Sequence, residues 1–147
     1  VASVVFTSGT TGEPKGVLHT ANTTYAGTIG FVETERLTAA DVVFCPHSVM
    51  HVLGITVSIA IPLIAGSCAV LLDQWSGATG LRLIRDDHVS VFIGAPPFQG
   101  DLIGTVGGVA TDLPSLRLLM NSAAPVQRPM IAQALDVYGL PLRTGWG

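Results

Sequence analysis

Six short apolar runs, each rich in β-branched residues and divided from the next by a stretch of helical pattern, set the strongest limit on how this chain folds. They lie at residues 1–7, 42–45, 68–72, 89–93, 116–120 and 140–143. Helical patterning fills the intervals at 21–36, 76–87, 97–106 and 127–138. Strand and helix in alternation predict an α/β domain with a largely parallel sheet and helices packed on it, since parallel neighbours need a crossover. The punctuation agrees. Pro97 and Pro129 stand near helix starts, where a missing N–H costs least, and Gly139 follows Tyr138 as a helix stop. Residues 104–112 read as a surface loop.

Residues 52–72 carry no charge over 21 positions, long enough on paper to span a bilayer. Gly54, Pro62, Gly66 and Ser67 interrupt the run, and no Lys or Arg flanks it closely. The reading is a buried helix to about Ala65, a Gly66-Ser67 turn and a strand at 68–72, with no transmembrane span. Only 12% of the 147 residues are charged and 48% are hydrophobic, against roughly a quarter charged in an ordinary soluble domain. That deficit suits a central slab of a larger protein. The chain also opens without Met and closes on Gly145-Trp146-Gly147, so residues 1–147 are expected to be an internal piece. A net charge of −3 and a single lysine, Lys15, exclude a nucleic-acid-binding surface. Cys45 and Cys68 have neither disulfide nor metal spacing. They suit a reducing compartment, so a cytoplasmic location is expected and no metal ligand is assigned.

In open α/β sheets, ligands bind beyond the carboxyl ends of the strands. The segments expected to leave those ends are 8–16, Gly94-Ala95-Pro96, 121–125 and 144–147, and all are rich in small residues that let backbone approach a ligand. Four such loops predict one shared site. The first is the richest: Thr7-Ser8-Gly9-Thr10-Thr11-Gly12-Glu13-Pro14-Lys15-Gly16. Its glycines can turn successive N–H groups into one concavity, its hydroxyls add donors, and Lys15 supplies a point charge suited to phosphate. It is not a Walker A loop, because Pro14 precedes the lysine and Gly16 follows it. Nor do Gly9 and Gly12 have the dinucleotide-fingerprint spacing.

The run TSGTTGEPKGV at residues 7–17 resembles the phosphate-binding signature of the adenylate-forming superfamily, which includes acyl-CoA synthetases, aryl-CoA ligases, luciferases and the adenylation domains of peptide synthetases. Two further motifs follow in that family's order. Asn121-Ser122-Ala123-Ala124-Pro125 resembles the loop along the adenine and the acyl pocket, and Gly145-Trp146-Gly147 resembles the start of a motif whose aromatic ring stacks on adenine. The resemblance spans essentially the whole chain and implies a central portion of the large N-terminal domain. Its implied nucleotide contacts are Thr7, Ser8, Gly9, Thr10, Thr11, Gly12, Lys15, Ser122, Ala123, Ala124, Pro125, Gly145, Trp146 and Gly147. His51, with Gly54 three residues on, matches the histidine that borders the substrate carboxylate in acyl- and aryl-CoA synthetases. Its plainer reading is a histidine at a helix start. His47 reads as a polar loop residue.

No acidic residue lies between Asp41 and Asp73, which disfavours an amino-acid substrate. Two departures stand out: Met50 replaces the usual aromatic before the histidine, and Ser122 replaces a glycine, which favours a smaller or differently shaped acid. The resemblance implies that a carboxylic acid, fatty or alicyclic, is activated by Mg²⁺·ATP to an acyl-adenylate and then transferred to coenzyme A. The Mg²⁺ ligand, the ribose-binding Asp and the catalytic Lys are expected beyond Gly147, so residues 1–147 alone should not complete adenylation. A homodimer is admitted as a partner state. The alternatives are an acyl-AMP ligase or amino-acid adenylation domain loading a carrier protein, and a non-catalytic nucleotide-binding module on the same fold.

Overall fold

Strands that are apolar at every position must be covered on both faces. The computed structural model, which describes residues 1–7 and 12–145, shows how this is done. In chain order the elements are β1 (Ser3–Thr7), β2 (Lys15–His19), α1 (Ala21–Thr34), β3 (Val42–Phe44), α2 (Val52–Ile55), a π-helical turn (Thr56–Ala60) and α3 (Ile61–Ala65). Then come β4 (Cys68–Val70), α4 (Gly77–Asp86), β5 (Val91–Gly94), α5 (Pro96–Thr105), β6 (Leu118–Asn121), α6 (Arg128–Tyr138) and β7 (Leu142–Thr144).

Five strands form a parallel sheet in the order β4-β3-β5-β6-β7. Side chains alternate between its faces along each strand. Phe44, Phe92 and Leu119 join Leu81, Ile84, Leu102 and Val137 under α4, α5 and α6. Val43, Val91, Ile93, Leu118 and Met120 point the other way, onto Val32, Val57 and Ile61 under α1, the π turn and α3. The expected α/β class with a parallel sheet is thus present, as three layers.

The caps explain the helix limits. Thr20 and Thr23 cap α1 reciprocally: the Thr23 N–H donates to Thr20 Oγ1 at 3.1 Å, and the Thr20 N–H donates to Thr23 Oγ1 at 2.9 Å. Ser76 Oγ accepts from the Thr79 N–H at the start of α4. Gly139, at φ +66, closes α6 in the left-handed region.

Two expectations need correction. Residues 1–7 do not join the parallel sheet. β1 pairs antiparallel with β2 in a separate hairpin, with Thr7 opposite Lys15 and Ser3 opposite His19. The chain returns after too few residues for a parallel crossover, so antiparallel pairing is what remains. β2 escaped the sequence reading because Lys15, Gly16 and His19 break its apolar pattern. The hairpin is exposed, with Phe6 and Leu18 largely open. Second, the helix read up to Ala65 is not uniform. It passes through the π turn, where the Ile61 N–H donates to the Thr56 carbonyl. Pro62, just beyond, has no N–H to continue the ladder. Gly66, at φ +70, then ends the helix before β4. Among the described residues no helix is long and apolar enough to cross a membrane.

A polar network ties the N-terminal ends of the strands. Asp41 Oδ1 accepts from Ser90 Oγ at 2.7 Å and Arg117 Nε at 2.8 Å, while Oδ2 accepts from Arg117 Nη2 at 2.9 Å and the Thr38 N–H at 2.8 Å. Burial alone would raise the Asp41 pKa; the Arg117 guanidinium, the Ser90 hydroxyl and the Thr38 amide outweigh it and hold the carboxyl at about 2. Arg117 also donates to the Glu35 and Arg36 carbonyls, and Arg143 pairs with Glu35 at 2.6 Å.

Candidate functional site

The opposite edge of the sheet is built from three loops that leave β5, β6 and β7, which are adjacent strands. They are tied together by backbone: the Ser122 N–H donates to the Gly94 carbonyl at 3.2 Å, and the Gly145 N–H donates to the Asn121 carbonyl at 2.8 Å. The fourth small-residue segment, 8–16, follows β1 and runs into β2, so it leaves no strand of this sheet.

Asn121 shapes the middle loop. It is fully buried at the end of β6, and its Nδ2 donates to the Ala124 carbonyl at 2.8 Å. That bond folds the chain back over Ser122 and Ala123, and Ala123 takes φ +71. A non-glycine residue in the left-handed region is held there at some cost, often beside a ligand. Gln99 of α5, also fully buried, donates from Nε2 to the Met120 carbonyl at 3.1 Å and so steadies the strand just before the loop. Asn121 Oδ1 and Gln99 Oε1 have no hydrogen-bond partner among the described residues. Neither residue was singled out as a site residue from sequence. The signal that was there to read is an amide directly following apolar residues at the end of a strand or the start of a helix, as at Asn121 after Met120 and Gln99 after Phe98.

A cavity of about 250 Å³ opens beside this loop. Its wall is Gly27 and Phe31 of α1, Leu53, Thr56, Val57 and Ile61 of the helical segment, Ile93 and Met120 of the sheet, and Ser122 and Gly145. No acidic or basic side chain is among them. Two of the sequence-predicted residues, Ser122 and Gly145, thus meet at one cavity. Ala123, Ala124 and Pro125 are exposed beside it.

Thr7 and Lys15 are brought together elsewhere, as the last cross-strand pair before the segment that joins the two strands of the hairpin, where Thr7 Oγ1 donates to the Lys15 carbonyl at 3.4 Å. Lys15 is exposed and Gly12 has open space around it. Among the described residues neither Thr7 nor Lys15 lies in the cavity wall. Ser8, Gly9, Thr10, Thr11, Trp146 and Gly147 lie outside the described residues.

His51 is the residue before α2, and its Nδ1 accepts from the Leu53 N–H at 3.1 Å, so it does cap a helix start. Its ring stacks on His47, with centroids 5.1 Å apart. His47 lies in a loop, as expected, but is half-buried. Its ring also meets the face of Phe98 edge-on at 4.8 Å, and its Nε2 is buried with no partner among the described residues. Burial, and then the neighbouring His51, lower the His47 pKa. Gly54 explains the tight geometry: a Cβ there would come within 2.0 Å of the Ser48 carbonyl oxygen. The helix therefore sits directly on the His47–Ser48 backbone, and the His51 N–H donates to the Ser48 carbonyl at 2.9 Å. Among the described residues no group of three or more His, Cys, Asp or Glu is placed to hold a metal.

With that geometry in hand, likeness to known proteins is informative. The family model described as AMP-binding enzyme matches residues 1–147. The medium-chain fatty-acid–CoA ligase of Escherichia coli K12 is 30% identical over all of this chain and 26% of its own length. The 3-methylmercaptopropionyl-CoA ligase of Ruegeria pomeroyi is 31% identical, over 99% of this chain and 28% of the relative. The O-succinylbenzoate coenzyme A synthetase of Bacillus subtilis, in complex with ATP and magnesium ion, superposes with a TM-score of 0.85 at 22% identity, over 97% of this chain and 29% of that one. The chain spans about a quarter of the length of the curated relatives it matches.

Proposed function

Because this chain belongs to the AMP-binding enzyme family, we propose that it forms the central part of an ATP-binding domain that activates a carboxylic acid for transfer to coenzyme A. In the first half-reaction a carboxylate oxygen attacks the α-phosphorus of ATP and the bond to the bridging oxygen breaks, releasing pyrophosphate. In the second, the coenzyme A sulfur attacks the acyl carbon, AMP leaves, and the thiol proton passes to solvent. The observation that carries this reading is the meeting of Ser122 and Gly145 with an uncharged, largely apolar cavity. A loop that resembles a nucleotide contact and a space suited to hydrocarbon share one wall.

The residues fit the nucleotide. Left-handed Ala123, the Ser122 hydroxyl and the small Gly145 let backbone come close to a ligand. Mg²⁺, the ion bound with ATP in the Bacillus relative, would supply charge neutralisation on the phosphates. Lys15, exposed next to Thr7, is proposed to hold the outer phosphates as pyrophosphate departs, with Ser8, Gly9, Thr10, Thr11 and Gly12 lending donors. Trp146, with Gly147 following, is proposed to offer a π-face to adenine, and His51 to border the substrate carboxylate. The cavity wall has no acid to pair with a substrate ammonium, which favours a simple carboxylic acid over an amino acid. The relatives named above act on fatty and thioether acids according to their names, and a fatty or alicyclic acid suits the apolar wall here.

ATP–pyrophosphate exchange by the full-length protein over a panel of carboxylic acids tests the reaction class, and coenzyme A dependence of product formation separates this reading from loading of a carrier protein. Lys15→Ala is expected to lower the exchange rate by about 10²–10³-fold, the usual cost of losing one charge-stabilising group. An unchanged rate would remove the phosphate role from that lysine.

A further inference from the structure

We infer that Gly27, together with Thr56, forms the passage by which this site accepts longer hydrocarbon chains; the inference rests on the reading of the site as one for a carboxylic acid. Gly27 lies in the middle of α1, where glycine weakens a helix. Nothing in the fold asks for glycine there. Its backbone is helical, and a Cβ at this position would meet no atom within 4 Å. Gly27 is exposed, and a side chain there would extend into open space bordering the cavity.

Two cavities share that space. The first, of about 250 Å³, reaches from Ser122 and Gly145 to Ile61. The second, of about 210 Å³, lies against the hairpin and is bounded by Val5, His19, Val52 and Ile55. Gly27 and Thr56 belong to the walls of both. Thr56 begins the π turn, whose wider backbone carries the helix past α1. The boundary between the two spaces is therefore one residue without a side chain and one with a short one.

The first cavity, of about 250 Å³, has room for a short saturated chain only. A longer unbranched chain must cross between Gly27 and Thr56 into the second cavity, which nearly doubles the room. Any side chain at 27 grows into the crossing.

The test is a series of straight-chain acids from butyrate to dodecanoate, offered to the full-length protein and read in two ways: kcat/KM in ATP–pyrophosphate exchange, and direct binding by calorimetry. In Gly27→Leu the ratio of dodecanoate to hexanoate is expected to fall at least about tenfold in both readouts, as two or more methylenes lose their burial. Thr56→Ala is expected to shift the ratio the other way. Gly27→Ala should give a smaller fall and stands in if the leucine variant does not fold. A ratio that stays constant across these variants, in protein that melts like the parent, overturns the inference while leaving the ligase reading intact. Absence of exchange with every acid removes the ligase reading, and the binding series then still decides on the gate: a length effect at Gly27 supports it, and length-independent binding or no binding overturns it.

Discussion

At the N-terminal ends of β3, β5 and β6, Asp41, Ser90 and Arg117 satisfy one another, and each carboxylate oxygen of Asp41 has donors within 3 Å. At the C-terminal ends of the same strands, His47 Nε2, Gln99 Oε1 and Asn121 Oδ1 are buried without a partner among the described residues. Ala123 holds a left-handed backbone there and cavities open beside the loops. At the first edge the Asp41 carboxylate is matched internally and serves stability, although Ser67 Oγ before β4 and Tyr138 Oη at the end of α6 are also buried without a partner among the described residues. The other leaves buried polar groups unmatched, a cost that folding alone would not select. The contrast teaches where to look for a site even when no ligand is present: at the loops where unmatched buried amides, a left-handed backbone and a cavity coincide.

Substitutions can break or sharpen this contrast. The largest expected effect is at Gly54, on the incomplete edge. An alanine Cβ would collide with the Ser48 and His47 carbonyls, and backbone has no rotamer by which to escape, so Gly54→Ala should destabilise by at least about 3 kcal/mol in urea unfolding. A loss below about 1 kcal/mol would show that the His47–Ser48 loop yields easily and is not held by this contact. Next is Asp41→Asn on the matched edge, expected to cost about 2 kcal/mol after allowing for the solvent that reaches the Arg117 guanidinium. Exchange kinetics should stay unaltered in that variant, because the network lies away from the loops.

The two edges should also respond to acid in different windows. Asp41 has a folded pKa of about 2, below its ordinary 3.8. Its contribution is therefore complete above about pH 4 and is lost as pH falls towards 2. His47 titrates below its ordinary value of 6.5, so the unfolded chain takes up the proton first. Stability should begin to fall once pH drops through about 6.5, and His47→Phe should remove that shallow limb while leaving the steep one. Smallest is Gly27→Ala, expected to raise stability by about 0.5–1 kcal/mol, since the methyl meets open space and alanine favours the helix. A decrease instead would mean the space at Gly27 is already occupied.

Much of the candidate site was legible in the residues, in uneven ways. Residues 122–125 and Gly145 were read as contacts, and the fold does set Ser122 and Gly145 at one cavity. His51 was read both as a site residue and as a helix start, and the second is what its Nδ1 does. The hairpin was missed. Its second strand has too little apolar alternation to announce itself, and its partner was assigned to the wrong sheet. His47 was underrated because its burial comes from Phe98, distant in sequence and invisible to any local pattern.

The sequence by itself determined the alternation of strand and helix, the parallel sheet, the helix stops at Gly66 and Gly139, and the family. All of these rest on local periodicity, backbone preference or contiguous motifs. Only the tertiary structure decided strand order, the coupling of Asp41 to Arg117, the collision that makes Gly54 obligatory, and the meeting of Gly27 with Thr56 between two cavities. Each of those depends on distances between residues far apart in the chain, set by how whole layers pack. A cavity has no sequence signature, because it is the volume that several distant side chains leave unfilled.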